Sequence, residues 1–392
     1  MQASIRANAV KPSATVTINA KAMQLKSQGI DIINLSVGEP DFDTPDFIKK
    51  AAIDAINAGY TKYTAIDGIA PLKDAIIEKF KMENQLSYTR DQILVSCGAK
   101  QSIYNLMQAL INPGDEVIIP APYWVSYPAM VALAEGVPVI AKTQVENRFI
   151  LTADELERCI TPKTKLLILN SPSNPTGMAY TEKELQALAK ALLKHPEIMI
   201  ISDDMYEHIL WGIDPFLNIV NVCPELYERT IVCNGVSKAY AMTGWRIGYA
   251  AGPVTIIKAM AKVQSHSTSN PSSISQYAAV AALKGDKTFI HSLKKIFKER
   301  HDYFQAALAS IPGVICPPAD GAFYVFPNVD KAIARYDAKD DVALSELILE
   351  KAHLAVVPGT EFGMPGFIRL SYATDMKTLE KAVERLSIFM TE

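Results

Sequence analysis

The chain has 392 residues, of which 49% are hydrophobic, and its formal net charge at pH 7 is -3. At roughly 100–200 residues per domain this length predicts two domains, and the composition is ordinary for a globular protein with a large core. Such a charge offers no basic surface for phosphate backbones or anionic lipid, so neither nucleic acid nor membrane is an expected partner. The N-terminal segment lacks the apolar core of a signal peptide, and no apolar run reaches about 18 residues, so we expect a cytoplasmic protein.

The five cysteines are scattered along the chain without a CxxC spacing, so they are expected to be reduced thiols. The six histidines show neither the HxxxH nor the HExxH spacing that is typical of zinc sites. The sequence therefore predicts neither a disulfide framework nor a metal centre.

The first turn-rich stretch is Gly38–Pro45, and from about residue 91 to residue 252 short apolar runs alternate with helical patterns. Runs that are apolar nearly throughout are typical of strands covered on both faces. Seven runs predict strands: Ile93–Cys97, Glu116–Pro120, Pro138–Ala141, Lys165–Asn170, Ile198–Ser202, Thr230–Asn234 and Ile247–Ala251. Their alternation with helices predicts an α/β fold with a mostly parallel seven-stranded sheet. One helix should begin at the capping box Thr181–Glu184 and end near His195.

The last hundred residues differ in character from this central part. A long amphipathic helix is predicted from about Asp286 to Leu308, followed by strand-like pieces at Ala322–Phe326 and Phe367–Tyr372 and a final helix over Met376–Met390. This pattern predicts a smaller α+β domain. We therefore divide the chain into an N-terminal arm that packs with the small domain (1–45), a large α/β domain (46–285) and the small domain itself (286–392).

Ligands of open α/β sheets bind at the carboxyl ends of the strands, so the turns after the strands are the candidate site. The turns that carry chemistry are Gly98–Lys100, Ala121–Trp124, Ser171–Gly177, Asp203–Tyr206 and Gly235–Lys238. Each is weak evidence alone, because a lysine after a strand is usually a surface charge and an aspartate there often caps a turn. Together they would meet at one edge of the sheet.

This combination matches the needs of one cofactor, pyridoxal 5'-phosphate. Its aldehyde needs an amine for a Schiff base, which Lys238 offers, and its ring nitrogen needs a carboxylate, which Asp203 offers. Tyr206 can donate to the phenolate oxygen, and Trp124 can lie flat against the ring. The helix that begins at Gly98 presents free N–H groups and a positive dipole end to the phosphate.

The segment Ser237–Tyr249 resembles the cofactor-lysine signature of class I aminotransferases. Five further motifs resemble that family and follow its order along nearly the whole chain: Gly38–Asp41, Tyr123–Pro128, Asn174–Gly177, Asp203–Tyr206 and Phe367–Ala373. The similarity is strongest to bacterial aspartate aminotransferases, some of which also use prephenate. It implies the type I fold of the pyridoxal-phosphate-dependent transferases and a homodimer with shared active sites.

The resemblance implies a role for each matching residue. Lys238 would form the Schiff base and then shuttle the substrate proton, while Asp203 would pair with the ring nitrogen. Tyr206 and Asn174 would hydrogen-bond the phenolate oxygen. Trp124 would stack on the ring and border the substrate.

The phosphate and its surroundings are implied at Gly98, Ala99, Lys100, Ser237 and Arg246. Gly235 departs from the family, because many members carry serine or threonine there, with the hydroxyl on the phosphate. We therefore expect the phosphate to depend more on Ser237, Arg246 and the helix N-terminus. Tyr63 matches a tyrosine that reaches the phosphate in the neighbouring subunit.

Substrate binding is implied at three further places. Arg369 would hold the α-carboxylate through its planar two-donor fork, helped by Asn174 and the backbone N–H of Gly38. Lys100 would face a distal carboxylate, assisted by the hydroxyl-bearing arm that contains Lys11, Ser13 and Thr15. The alternative for Lys100 is that it only neutralises the cofactor phosphate.

These residues predict an aminotransferase that moves an amino group from an L-amino acid, best aspartate, to 2-oxoglutarate by a ping-pong mechanism. An aromatic or prephenate aminotransferase is the nearest alternative, and a lyase with the same cofactor is a more distant one. A pyridoxal-binding transcription regulator is not expected, because only a short segment precedes Gly38 and the chain as a whole is not basic. Asp204, His208 and Trp211 flank the candidate site and are expected to pack without a chemical role.

Overall fold

The computed structural model describes residues 3–10, 12, 14–213 and 215–391. Its helices are α1 (Ile5–Asn8), α2 (Ala14–Ser27), α3 (Asp46–Asn57), α4 (Ala70–Asn84), α5 (Ala99–Leu110), α6 (Ser126–Leu133), α7 (Ala153–Cys159), α8 (Glu182–Leu192), α9 (Ile219–Val222), α10 (Val254–Ser265), α11 (Ser273–Lys284), α12 (Thr288–Ala309), α13 (Asp330–Arg335), α14 (Asp341–Lys351) and α15 (Met376–Thr391). Its strands are β1 (Ile33–Asn34), β2 (Ile93–Ser96), β3 (Glu116–Ala121), β4 (Val137–Lys142), β5 (Thr164–Asn170), β6 (Met199–Asp203), β7 (Thr230–Gly235), β8 (Gly248–Ala251), β9 (Tyr324–Val325), β10 (Leu354–Ala355), β11 (Val357–Pro358) and β12 (Ile368–Ser371).

The central sheet contains seven strands in the order β2-β8-β7-β6-β5-β3-β4. Neighbouring strands are parallel from β7 to β4, whereas β8 runs antiparallel to both β2 and β7. All seven predicted strands are present, and the prediction of a mostly parallel sheet is confirmed. Every residue of β2, β7 and β8 is buried, which explains why these runs are apolar without alternation. Helices therefore cover the sheet, and the loops after the parallel strands share one edge.

The predicted capping box fixes the start of helix α8. The Thr181 side chain accepts a hydrogen bond from the Glu184 backbone N–H at 3.3 Å, and the Glu184 carboxylate accepts one from the Thr181 backbone N–H at 2.7 Å. Two backbone donors that the helix itself cannot satisfy are thereby paired. Leu185, Leu188 and Leu192 lie on the face of the helix that packs into the core.

The C-terminal part contains a second, smaller sheet in the order β11-β12-β9, both pairs antiparallel. The predicted long helix, two strands and final helix are all present, as α12, β9, β12 and α15. Strand β1 from the N-terminal region pairs in parallel with β10. This pairing agrees with an N-terminal arm that packs on the C-terminal part, while the limits at residues 45 and 285 remain a prediction.

All five cysteines are free thiols, as expected from their spacing, and Cys223, Cys233 and Cys316 are buried. Within the described part of the chain, the helices are too short or too polar for any of them to cross a membrane. Among the described residues, the buried apolar side chains form two clusters on the central sheet, a third that joins β1, α12 and α15, and a small fourth that joins α2, α14 and β10.

Candidate active site

A cavity of about 320 Å³ opens at the edge of the sheet where the parallel strands end. It brings together most of the residues that the sequence singled out: Gly38, Ala99, Lys100, Trp124, Asn174, Asp203, Tyr206, Ser237, Lys238, Arg246 and Arg369. These residues come from both the central sheet and the C-terminal sheet, so the cavity lies between the two. Its volume suits a small cofactor and a small substrate.

Asp203 is the last residue of β6, and its carboxylate is buried. The Tyr127 hydroxyl donates to its Oδ2 at 2.6 Å, and the Met205 backbone N–H lies 3.4 Å from its Oδ1. Burial raises the pKa of Asp203 to about 6, although these two hydrogen bonds and the nearby Lys238 ammonium act to lower it. This carboxylate would therefore gain from a positively charged partner in the cavity.

Lys238 follows β7, and its ammonium donates a hydrogen bond to the Gly38 carbonyl at 2.5 Å. The same ammonium lies 5.8 Å from the centroid of the Phe323 ring. Burial lowers the pKa of Lys238 to about 8; Glu39 acts against this, whereas Arg369 and other cations add to it. An amine with such a pKa is partly unprotonated near neutral pH and can act as a nucleophile or a base.

The backbone around Gly38 lies close to the cavity because glycine has no side chain. A Cβ atom at Gly38 would lie 2.2 Å from the Tyr324 hydroxyl, which in turn is 2.9 Å from the Tyr206 hydroxyl. Arg300 anchors the segment from behind with two hydrogen bonds to the Asp41 carboxylate, at 2.6 and 2.9 Å. The backbone of Gly38 is thereby held against the site.

Arg369 lies in β12 and is buried. Its guanidinium donates to the Asn174 Oδ1 at 3.0 Å and to the Ser36 carbonyl at 2.5 Å. Its Nε has no hydrogen-bond partner among the described residues. The centroids of the Tyr324 and Phe362 rings lie 4.6 and 5.1 Å from its Cζ. Because these partners are all neutral and a buried charge is costly unless paired, this arginine is suited to bind a carboxylate.

The opposite end of the cavity is suited to an anion as well. Helix α5 begins after Gly98, which has a φ of 84°, and a Cβ atom there would lie 2.4 Å from the Arg246 Nη2. A Cβ atom at Gly248 would lie 2.1 Å from the Ala99 backbone nitrogen. The two glycines thus let Arg246 and β8 pack against the start of the helix, where N–H groups lack helical acceptors and the dipole is positive.

Gly235 and Ser237 differ in how they relate to the cavity. Gly235 is enclosed in the sheet, since a Cβ atom there would lie 3.0 Å from both the Gly248 Cα and the Ile247 carbonyl oxygen. Ser237 is among the residues that line the cavity. A larger residue at 235 would need more room between β7 and β8. The role of Ser237 at the phosphate stays a prediction.

Lys100 lies at the start of α5, with its ammonium 4.8 Å from the centroid of the Trp124 ring. Burial and the nearby Arg246 lower the pKa of Lys100. Trp124 in turn meets the Tyr127 ring edge-to-face, with centroids 5.3 Å apart. The lysine is therefore on the cavity side of the tryptophan, where it can reach either a substrate or the cofactor phosphate.

Three predicted contributions do not line the cavity of the single chain, and one of them is Gly98, which lies against the Arg246 guanidinium. The Tyr63 side chain is 90% exposed and is not part of the wall. Lys11 and Ser13 of the proposed arm lie outside the described residues, and the Thr15 side chain does too. Val16, one residue further along, does line the cavity, so the start of α2 approaches it.

Three polar side chains of the wall that hydrogen-bond Asp203 or Tyr206 were not predicted to take part. Tyr127 donates to Asp203, and Tyr324 bonds the Tyr206 hydroxyl. Asn170 donates to the Asp203 carbonyl at 2.9 Å and accepts from the Asn174 backbone N–H at 2.9 Å, so it ties two turns together. The sequence placed Tyr127 within a recognised motif and Tyr324 within a predicted strand, but neither pattern indicates which side chain faces the site.

Comparison with known proteins defines the class to which this fold and site belong. The family model "Aminotransferase class I and II" matches residues 30–386, so the chain belongs to that family and is an aminotransferase.

Proteins similar to this chain include aspartate aminotransferases and aspartate/prephenate aminotransferases. The aspartate/prephenate aminotransferase of Nitrosomonas europaea is 53% identical over an alignment of 397 residues that covers 100% of each chain. The solved aspartate aminotransferase of Rhizobium meliloti is 46% identical with a TM-score of 0.94, covering 100% of this chain and 99% of the other. That of Thermus thermophilus, solved with maleate, is 44% identical with a TM-score of 0.93, covering 99% and 100%. The fold is therefore that of the aspartate aminotransferases.

Proposed function

We propose that this aminotransferase carries pyridoxal 5'-phosphate on Lys238 and moves the amino group of aspartate to 2-oxoglutarate. The observation that carries the proposal is the convergence of Lys238, Asp203 and Arg369 on one cavity, each with a charge that the protein leaves for a ligand. The family membership and the names of the relatives support it independently.

The residues present fit this cofactor. The buried Asp203 carboxylate would balance a protonated ring nitrogen, and Tyr206 and Asn174 would bond the phenolate oxygen. At the other end the start of α5, Ser237 and Arg246 would hold the phosphate, and the missing side chain at Gly98 leaves room for the Arg246 guanidinium. When bound, the cofactor supplies an aldehyde that takes up amino groups and a ring that accepts the electrons released with the Cα proton.

The protein's own part in the chemistry centres on the Lys238 amine. With a pKa of about 8, this amine can attach the cofactor covalently, give way to the amine of the substrate, and then take the Cα proton. Its hydrogen bond to the Gly38 carbonyl keeps it beside the segment whose backbone N–H would meet the substrate carboxylate. The cycle would run once with each substrate, which predicts ping-pong kinetics.

Arg369 would orient the substrate by binding its α-carboxylate through two donors, and Trp124 would border the substrate. Asn174 already bonds the guanidinium, and Gly38 would add its backbone N–H. A planar fork fixes the direction of a carboxylate better than a lysine does. The Cα proton would then face Lys238.

Selectivity would come from Lys100, whose ammonium lies on the cavity side of Trp124. The relatives named for aspartate, and the Thermus thermophilus relative that was solved with maleate, a dicarboxylate, support a second carboxylate site. A single flexible ammonium discriminates less than a bidentate arginine, so we expect weaker use of aromatic or prephenate-type substrates.

Two further features belong to the proposal. The exposure of Tyr63 suits contact with the cofactor phosphate of a second subunit, which would make the active form a homodimer with two composite sites. We also propose that residues 46–285 form a large domain and that the N-terminal arm and residues 286–392 form a small one, with the cavity between them.

The test is reduction of the purified protein with borohydride in the presence of the cofactor, followed by peptide mapping. We expect the label on Lys238, and Lys238→Ala should bind the cofactor without a reducible link and lose nearly all turnover. A reducible link in Lys238→Ala contradicts the assignment. A screen of amino donors against keto-acid acceptors, run with the same preparation, tests the choice of aspartate and 2-oxoglutarate.

A further inference from the structure

The turn that carries Asp203 and Tyr206 toward the cavity points two other acids the opposite way. Asp203 and Tyr206 line the cavity, whereas Asp204 and Glu207 are buried behind it. The Glu207 side chain is only 4% exposed and forms an ion pair with the ammonium of Lys79 in α4, which is 1% exposed. A charged pair is therefore enclosed directly behind the candidate catalytic turn.

The carboxylate of Glu207 joins three parts of the chain. Besides Lys79, it accepts from the Asn84 Nδ2 at 2.6 Å and from the Asn234 Nδ2 at 2.7 Å. The Asn84 Oδ1 accepts from Lys79 at 2.6 Å, and the Asn234 Oδ1 accepts from the Gly235 backbone N–H at 2.7 Å. We call Lys79, Asn84, Glu207 and Asn234 the Glu207 network. It links α4, the Tyr206 turn and the end of β7, from which the Lys238 turn begins.

Stability alone is a poor reason for this network. A buried ion pair is often no more stabilising than apolar side chains of the same size, because desolvation offsets the attraction. A buried polar network in which the members satisfy one another does, however, fix a single arrangement of the segments that carry them. The segments here are the two turns on which Tyr206 and Lys238 depend.

The same region has a spacing that could suit a metal ion, since ligand atoms of Glu83, Glu207 and His208 lie within 4.8 Å of one another. The internal pairing favours the other interpretation. Lys79 already pairs with Glu207, Lys287 pairs with Glu83 at 3.1 Å, and His208 contacts Glu83 at 2.8 Å. The chain itself thus supplies a cation to each of the two acids, and His208 forms a hydrogen bond with Glu83 in addition to packing.

We propose that Glu207 is a positioning residue, whose buried carboxylate holds the Tyr206 turn and the start of the Lys238 turn in register from behind the cavity. The inference rests on the proposed function, because it assumes that Tyr206 and Lys238 meet the cofactor. Glu207 itself touches neither cofactor nor substrate, and it acts through the two turns.

The first test is Lys79→Met, which leaves the Glu207 carboxylate without its cation. We expect kcat to fall about 10- to 100-fold with little change in KM, because small displacements of catalytic groups are costly. When the absorbance of the bound cofactor is followed against pH, the midpoint of its change should shift. The cofactor-free protein should also bind the cofactor less tightly. The matched control is Lys73→Met on the same helix, whose ammonium pairs with Asp67 away from the site and whose side chain is 8% exposed. It should lower the melting temperature and leave kcat and the midpoint unchanged.

The second test is the double variant Lys79→Met/Glu207→Met, which removes both charges and keeps the volume apolar. We expect it to be more stable than Lys79→Met and still to show the altered kcat and midpoint, because the turns are no longer tied. Recovery of the parent kcat and midpoint in the double variant would overturn the inference, as would parent-like values in Lys79→Met. Borohydride labelling of Lys238 in the parent separates the cases: an unlabelled parent contradicts the proposed function, and a labelled parent with unaffected variants contradicts this inference alone.

Discussion

Asp203 should destabilise the cofactor-free protein, and removing its charge should therefore stabilise that form. The pKa of this buried carboxyl group is about 6, against an ordinary value of 3.8. Because the folded-state pKa is raised, the destabilisation is absent below 3.8 and complete above about 6. This pKa difference lowers the free energy of unfolding by about 3 kcal/mol at pH 8 and by roughly half that at pH 5. Asp203→Asn keeps the shape and is neutral at every pH.

The assay is chemical denaturation of the cofactor-free protein at one protein concentration, at pH 8 and at pH 5. We expect Asp203→Asn to be the more stable form at pH 8, with an advantage that shrinks at pH 5. The affinity for the cofactor should change in the opposite direction, with a dissociation constant about 10- to 100-fold higher, because a hydrogen bond to a charged group contributes about 1.5–3 kcal/mol.

Asp204→Asn is the matched control, since Asp204 is equally buried but bonds Ser202 and Asn218 on the far side of the turn. It should leave the dissociation constant of the cofactor unchanged. A loss of stability in cofactor-free Asp203→Asn at pH 8 would refute the reasoning, and so would an unchanged affinity for the cofactor.

Three further outcomes are expected. Tyr127→Phe removes the hydrogen bond at 2.6 Å to Asp203 and should raise the pKa of that carboxyl group by about 1–2 pH units. In a plot of cofactor affinity against pH, the acidic limb should therefore shift to higher pH, and an unchanged limb would contradict this. Lys100→Ala should raise KM for aspartate about 10- to 100-fold and affect phenylalanine far less, whereas equal losses would assign Lys100 to the cofactor. Mixing inactive Lys238→Ala chains with inactive Tyr63→Ala chains should restore part of the activity after subunit exchange, and a fully active monomer in light scattering would exclude the shared site.

The sheet and the turns around the cavity were predictable because their signals are local. Strands that are buried on both faces need apolar runs. The residues that follow parallel strands lie at the same edge of the sheet, independently of how distant segments pack. Asp203 and Lys238 were found in this way, from their places after β6 and β7. Helix α8 was likewise predictable, since a capping box acts within four residues.

The remaining contacts depend on packing between distant segments. Tyr206 meets Tyr324 across 118 residues of sequence, and Lys79 meets Glu207 across 128. No periodicity indicates that the β9 tyrosine faces the cavity, or that a lysine in a helix of mixed composition is enclosed. The antiparallel direction of β8 could not be predicted either, because an apolar run indicates a buried strand but not the direction in which it runs.

The distribution of charge separates the parts of the molecule that bind ligands from those that hold it together. Behind the cavity the Glu207 carboxylate is paired within the chain with Lys79 and two amides, and the Asp204 carboxyl group accepts hydrogen bonds from Ser202 and Asn218. In the cavity the charges are left incomplete: Asp203 has a raised pKa, and Arg369 has an unbonded Nε and only neutral partners. A protonated ring opposite Asp203 and a carboxylate opposite Arg369 would each relieve a cost that the empty protein bears. The site therefore favours ligands that carry these charges at this spacing, as an amino acid joined to a pyridoxal cofactor does.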